Sequence, residues 1–229
     1  MLLLLDIGNS NIKSCLSVNG FLHSTKVFPS SRAEKVAELQ KKIGFDKAFI
    51  CSVVRPVTDR VEKLLRKEGC ACHLVGRDLH PSIHSKYDLA MLGSDRLVNI
   101  FAAVNLYTPP ILLISAGTAM TVDYIDPEGT HVGGMILPGT FISQKALRRK
   151  APALPEFSFG QPESLWAVTT IEALKSGTYH SLHIFVRGLL DTLPNATKVI
   201  VTGGGSRLFE LENSIIFPEL TLQGLMMLS

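Results

Sequence analysis

Leu2-Leu3-Leu4-Leu5 reads as a strand buried on both faces, because its apolar run is unbroken and too short for a helix. It ends on Asp6-Ile7-Gly8-Asn9-Ser10-Asn11, and apolar and polar positions then alternate from Ile12 to Val18. The same order returns at Ile111-Leu112-Leu113-Ile114, followed by Ser115-Ala116-Gly117-Thr118-Ala119 and a second strand-like run from Met120 to Ile125. Each unit is an apolar strand, a tight glycine turn with small polar side chains, and a return strand. Such a turn aims backbone N–H groups and small hydroxyls into a concavity that suits phosphate oxygens. A pair of them can hold a polyphosphate from two sides. The repeat therefore predicts a two-lobed nucleotide-binding protein.

The pattern between the repeats predicts the remaining elements. Strands Leu2–Asp6, Ile12–Val18 and Phe21–Val27 form a meander, with Asn19-Gly20 as a two-residue hairpin turn. Helical spacing of Val36, Leu39 and Ile43 predicts a helix over 32–43. A strand follows at 47–53, then a helix at 59–67 and a strand at 72–75. Leu97, Ile100, Phe101 and Val104 share one face of a helix at 94–107. Thr108-Pro109-Pro110 marks the joint, since proline ends the preceding helix. The boundaries follow as 1–110 and 111–229. In the second lobe the strands are expected at 111–114, 120–125, 131–137, 198–201 and near Ile215. Its helices are expected at 143–149 and 169–193, with a short one after Gly203-Gly204-Gly205.

Composition narrows the class without adding detail. A chain of 229 residues with 46% hydrophobic content can bury a large core. A net charge of +3 is far from the concentrated basic stripe of a nucleic-acid binder. No apolar run reaches the ~18 residues of a membrane helix. Met1–Leu5 lacks the basic start of a secretory signal and meets Asp6 too early. Four cysteines without disulfide-like spacing fit a reducing cytoplasm. Cys70-Ala71-Cys72-His73 is half of a possible metal site, but no second cysteine pair completes it, and a strand end is the plainer reading.

Three places carry candidate chemistry. Asp6 ends the first strand beside the glycine turn. It is either a turn-capping carboxylate or a water-mediated Mg²⁺ ligand, with Gly8, Asn9 and Ser10 on phosphate and Lys13 adding positive charge. Asp95 lies in Gly93-Ser94-Asp95-Arg96, at a helix start where the dipole alone would favour a carboxylate. Beside Arg96 it can also accept a hydroxyl proton while the arginine holds an anionic substrate. Gly203-Gly204-Gly205 follows a buried strand and suits close approach to an adenine or ribose, although a bare glycine turn is a weak signal. No Walker A lysine motif is present.

In chain order these runs, together with Gly133-Gly134-Met135-Ile136-Leu137-Pro138-Gly139, Thr170-Ile171-Glu172-Ala173-Leu174-Lys175-Ser176-Gly177 and Pro218-Glu219-Leu220-Thr221-Leu222-Gln223-Gly224-Leu225, resemble the type III pantothenate kinases. The resemblance implies a duplicated α/β fold of the actin-like (ribonuclease H-like) kind, each lobe a mixed five-stranded sheet flanked by helices. It implies ATP-dependent phosphorylation of pantothenate, the first step of coenzyme A synthesis, by a cytoplasmic homodimer. ATP phosphates would meet Asp6, Ile7, Gly8, Asn9, Ser10, Asn11, Ile12 and Lys13, with Asp6 near Mg²⁺. Gly117, Thr118, Gly203 and Gly204 would also contact the nucleotide. Asp95 would be the catalytic base, and Tyr87, Gly93, Ser94, Asp95, Arg96 and Thr170 would hold pantothenate. Tyr87 stands one residue nearer Gly93 than the family pattern has it.

Ser115 departs from the family, which carries an aspartate there, associated with a monovalent cation (K⁺ or NH₄⁺). The internal repeat agrees, since Ser115 aligns with Asp6. A hydroxyl is a poorer cation ligand than a carboxylate. Three consequences are open: changed cation dependence, compensation by Asp123, or impaired transfer. The rival readings are thus a catalytically impaired relative acting as a nucleotide-binding or regulatory protein, and a kinase for another small hydroxylated anion.

Overall fold

The leucine run forms β1 (Leu2–Ile7) at the centre of a five-stranded sheet, where both of its faces are covered. The computed structural model describes residues 1–208, 211 and 213–229. The chain divides into two units, Met1–Thr108 with Glu219–Ser229, and Pro109–Pro218.

In the first unit β1 pairs antiparallel with β2 (Asn11–Val18) and parallel with β4 (Lys47–Ser52). β3 (Phe21–Pro29) and β5 (Ala71–Leu74) complete the order β3-β2-β1-β4-β5. Period-two alternation sorts β1 into two layers. Leu3, Leu5 and Ile7 pack with Ile12 and Ile50 under α1 (Glu34–Ile43) and α2 (Arg55–Lys67). Helix α2 begins at Arg55 rather than the expected Asp59, because Pro56 suits a first helical turn, where its missing N–H costs nothing. On the other face Leu4, Cys15, Phe49 and Cys51 meet Val98 of α3 (Ser94–Leu106).

The second unit repeats this topology. β6 (Ile111–Ala116) pairs antiparallel with β7 (Ala119–Ile125) and parallel with β9 (Lys198–Thr202). With β8 (His131–Pro138) and β10 (Ser214–Ile216) the order is β10-β9-β6-β7-β8, the same sequence of pairings read from the other edge. One face, with Leu112, Ile114, Met120, Val122 and Val201, is covered by Val186 of α5 (Thr170–Leu190). The other carries Leu113, Ile200 and the buried pair Asp123 and His131. Helix α4 (Thr140–Lys150) starts three residues earlier than expected, directly after Gly139.

The tail corrects the expected boundary. Residues 219–229, placed with the second lobe by the position of the repeat, belong to the first unit as α6 (Leu220–Met227). Leu220, Leu222 and Leu225 are fully buried, and α6 packs on α3 and β1. An apolar helix without a polar face needs burial all round, and the α3-covered sheet face supplies it. Thr221 Oγ1 donates to Asn99 Oδ1 at 2.9 Å, satisfying both buried polar groups. The helices approach so closely that a Cβ on Gly224 would lie 2.6 Å from Val98 Cγ1 and 2.9 Å from its carbonyl oxygen. Gly224→Ala should therefore destabilise the protein by about 1–3 kcal/mol despite alanine's better helix propensity. A urea titration in which the variant matched or exceeded the parent would contradict this packing.

Candidate active site

The end of β1 carries a charged rung. Asp6 is in register with Lys13 on β2 and Cys51 on β4, so all three side chains lie on the α3-covered face. Burial raises the Asp6 pKa from 3.8 to about 6; Lys13 opposes that rise, and the charge of Asp95 adds to it. The thiol of Cys51 is fully buried, and its pKa is pushed up by that burial and by the neighbouring Asp6 and Asp95. The turn after Asp6 is closed by Gly8 N–H donating to Asn11 O at 2.9 Å, and it leaves Asn9, Ser10 and Asn11 exposed. Ser30 clamps it from beneath, with Oγ donating to Gly8 O at 2.7 Å and N–H donating to Ser10 O at 3.0 Å.

Helix α3 delivers the second carboxylate to the same end of the sheet. Arg96 N–H donates to Asp95 Oδ1 at 2.8 Å, so the carboxylate folds back over its own helix start. That fold explains the preceding glycine: a Cβ on Gly93 would stand 2.8 Å from Asp95 Oδ1. Ser94 turns inward, its Oγ donating to Ser52 O at 2.6 Å. The Arg96 guanidinium is buried and lies 5.3 Å from the centroid of the Tyr87 ring, a cation–π contact. Tyr87 thus joins this cluster despite its shifted spacing.

In the second unit Ser115 takes the rung that Asp6 takes in the first. Both are penultimate in their central strand, and Ser115 is flanked in register by Thr121 on β7 and Thr202 on β9. The charged rung has become a row of hydroxyls. Among the described residues, the buried hydroxyls of Thr121, Thr202 and Ser206 lack a hydrogen-bond partner, as expected of groups that face a polar ligand or water. Asp123, one rung away on the same face of β7, is bonded through Oδ1 to Nε2 of the buried His131 at 2.9 Å. The glycine turns converge on Ala116-Gly117-Thr118. Gly205 N–H donates to Ala116 O at 2.8 Å and Gly139 N–H to Thr118 O at 3.1 Å. Gly203, at φ 92°, comes so near that a Cβ would lie 2.7 Å from Ala116 O. Thr170 opens α5 at an exposed position, next to Thr169, whose hydroxyl accepts from Glu172 N–H.

Two matching sheets, each with a glycine turn after its central strand, define the class: duplicated actin-like α/β proteins. Solved structures agree on the fold. One, described as a Baf family transcriptional activator from Campylobacter jejuni, superposes with a TM-score of 0.65 at 20% identity, covering 97% of this chain and 93% of that one. Another, described as a 2-dehydro-3-deoxygalactonokinase from Sinorhizobium meliloti, gives 0.59 at 12% identity over 98% and 97%. Sequence comparison then fixes the family. The model of type III pantothenate kinase matches residues 2–192. A type III pantothenate kinase of Brevibacillus brevis is 32% identical, covering 98% of this chain and 96% of its own length. The chain belongs to the type III pantothenate kinases, which phosphorylate pantothenate with ATP in coenzyme A biosynthesis.

Sequence reasoning singled out the carboxylates but missed what holds them. Cys51 becomes visible only once β4 is paired in register with β1. Ser30 and Ser52 carry no motif at all. The cost of ionising the half-buried Asp6 has a measurable consequence. The unfolded chain releases this proton near 3.8 and the folded one at about 6, so its contribution favours folding below the lower value and is lost as pH rises through the upper. In metal-free buffer Asp6→Asn should melt roughly 2–6 °C above the parent at about pH 7.5, and match it near pH 4. Equal melting at both pH values would show that Asp6 bears no burial cost.

Proposed function

We propose that this chain carries out the family's phosphoryl transfer with Asp95 as proton acceptor, Asp6 as the Mg²⁺ anchor, and the turns at Gly8–Asn11 and Gly117–Thr118 as phosphate cradles. One observation supports this above the others: two carboxylates stand at the same end of the first sheet, where burial raises the pKa of Asp6 and the charge of Asp95 adds to that rise. Their supports differ. Asp95 is tied to a backbone N–H at a helix start, which orients it, whereas Asp6 is kept at a desolvation cost that a cation would relieve. Asp6 therefore fits Mg²⁺, which when bound would neutralise phosphate charge. Asp95 would take the proton of the primary hydroxyl as the hydroxyl oxygen attacks the γ-phosphorus in line. The bond from that phosphorus to the β,γ-bridging oxygen would break to release ADP. Arg96 would hold the pantothenate carboxylate, with Tyr87 packing against that arginine. Ile7, Asn11 and Ile12 frame the first turn, Lys13 adds positive charge near the phosphates, and Gly203 and Gly204 would admit the adenosine. Thr170 is assigned to pantothenate on the family resemblance alone.

The same reading extends to a cytoplasmic homodimer. The second unit exposes Ile136, Phe141, Ile142, Trp166, Val168 and Ile184, side chains that a partner subunit would cover. The four cysteines are unbridged and buried, which suits a reducing compartment. Among the described residues no helix is long and apolar enough to cross a membrane.

Asp95→Asn keeps the shape of the helix start and removes the base. It should lower kcat by about a hundredfold or more while ATP binding persists. Near-parental turnover in the folded variant would remove Asp95 from the role.

The family's monovalent cation does not fit this chain. The rung that should supply a carboxylate offers the hydroxyls of Ser115, Thr121 and Thr202, and Asp123 is bonded to His131. Exchange of K⁺ or NH₄⁺ for Na⁺ at constant ionic strength should then change turnover less than about threefold, and Ser115→Asp should create K⁺ stimulation. Strong K⁺ activation of the parent would overturn this. A parent that binds ATP without turnover and gains activity through Ser115→Asp would favour the impaired-relative reading, which the neutral rung specifically supports.

A further inference from the structure

Between the two carboxylates lies a hydrogen-bonded set in which Ser94, given to pantothenate by the family resemblance, is instead bonded to the protein's own backbone. Ser94 Oγ donates to Ser52 O at 2.6 Å, and Cys51 Sγ stands 3.7 Å from the same Ser94 oxygen, with the thiol as donor. Ser52 is the last residue of β4, and its own hydroxyl is a hub. It accepts from Val54 N–H at 3.1 Å, lies within hydrogen-bonding distance of Thr58 Oγ1, and faces Ile7 O at 3.4 Å. Thr58 Oγ1 donates to Val54 O at 2.9 Å. Val53 N–H donates to Ile7 O at 3.2 Å, so the ends of β1 and β4 are tied beside Asp6. At the start of α3 the cap residue is Gly93, which has no side chain to bond the first turn. The Ser94 side chain therefore supplies a tie between the helix that carries Asp95 and the strand pair that carries Asp6.

We infer that Ser94 is a positioning residue: through its bond to the Ser52 carbonyl it fixes the start of α3, and with it the Asp95 carboxylate, relative to Asp6. The inward hydroxyl is spent on that carbonyl, so pantothenate recognition does not draw on it. A short hydroxyl–carbonyl bond at a partly buried site holds the geometry closely, and proton transfer loses efficiency steeply with small displacements of the base. The Ser52 hydroxyl has a different task. It binds the strand ends to α2 and is not needed for the Ser94 bond, which uses the Ser52 backbone.

This inference rests on Asp95 being the proton acceptor, and the experiment separates the two. Steady-state kinetics of ADP release is compared for Ser94→Ala, Ser94→Thr, Ser52→Ala and Asp95→Asn, with folding followed by circular dichroism. Ser94→Ala should lower kcat by about tenfold with KM for pantothenate and ATP within twofold, and Ser94→Thr, which keeps the donor, should recover kcat to within threefold. Ser52→Ala should lower the melting temperature with little change in kcat, because the carbonyl remains. A rise in the pantothenate KM of Ser94→Ala with kcat unchanged would overturn the inference and make Ser94 a substrate contact. So would unchanged kinetics, or a kcat loss that Thr does not recover. If Ser94→Ala does not fold, Ser94→Cys, close in size but a weak donor, replaces it with the same outcomes. Parental turnover in Asp95→Asn would instead sink the assignment of the base, whatever Ser94 does.

Discussion

Asp6 stands one residue from the end of a strand whose neighbours on the same face are Leu4, Phe49 and Val98, and a carboxylate there ionises only at a cost, which is why its pKa rises to about 6. Much of the first unit is arranged around that cost. Lys13 stands in register beside it, Cys51 fills the other side without adding charge, and α3 and α6 seal the layer beneath. Replacing that carboxylate by a neutral isostere would remove the cost. The cation proposed at Asp6 would relieve it as well. The turn that follows is held in place by Ser30, so in the proposed site the backbone of Gly8–Asn11 would stand beside that cation.

The duplication makes the second unit a control for the first. Strand order, pairing sense and the penultimate position of the key residue are the same, yet the rung Lys13–Asp6–Cys51 is answered by Thr121–Ser115–Thr202. One sheet thus presents a charge in a nearly apolar layer, and the other presents neutral hydroxyls. In the proposed site both turns would cradle phosphate, the first beside a carboxylate and the second beside neutral hydroxyls. The turn at Gly117 is the tighter of the two, with Gly117 N–H donating to Ala119 O at 3.1 Å, and Gly139 packs onto Gly117 and Thr118, and Gly203 onto Ala116, where a larger residue would collide. Close backbone approach substitutes there for charged side chains.

Much of this was legible in the sequence because it is local. Unbroken apolar runs gave the central strands, Asn19-Gly20 the hairpin, and the repeated turn the duplication. Carboxylates at the end of a strand and the start of a helix named Asp6 and Asp95 before any coordinates. What stayed hidden depends on pairing across the chain. The placement of α6 has no local cue, since Leu220–Met227 is merely an apolar helix, and only the uncovered face of the first sheet decides where it goes. Cys51, Ser52 and Ser30 acquire meaning through register and loop contact with residues far away in sequence. Helix α2 starts at Arg55 rather than Asp59, since Pro56 is accommodated in its first turn.

The arrangement at α3 shows how a short motif can combine separate physical demands. In Gly93-Ser94-Asp95-Arg96 the glycine leaves room for the folded-back carboxylate, and the serine ties the helix to β4. The aspartate is oriented by the N–H of the next residue, and the arginine is buried against Tyr87. Each residue constrains its neighbour: a Cβ at position 93 would push the carboxylate, and a carboxylate not bonded to the Arg96 N–H would leave the helix start without that partner. The four-residue run is therefore read better as one device than as four contacts. In the proposed site Asp95 and Arg96 would face the substrate, while Gly93 and Ser94 would set where those two stand.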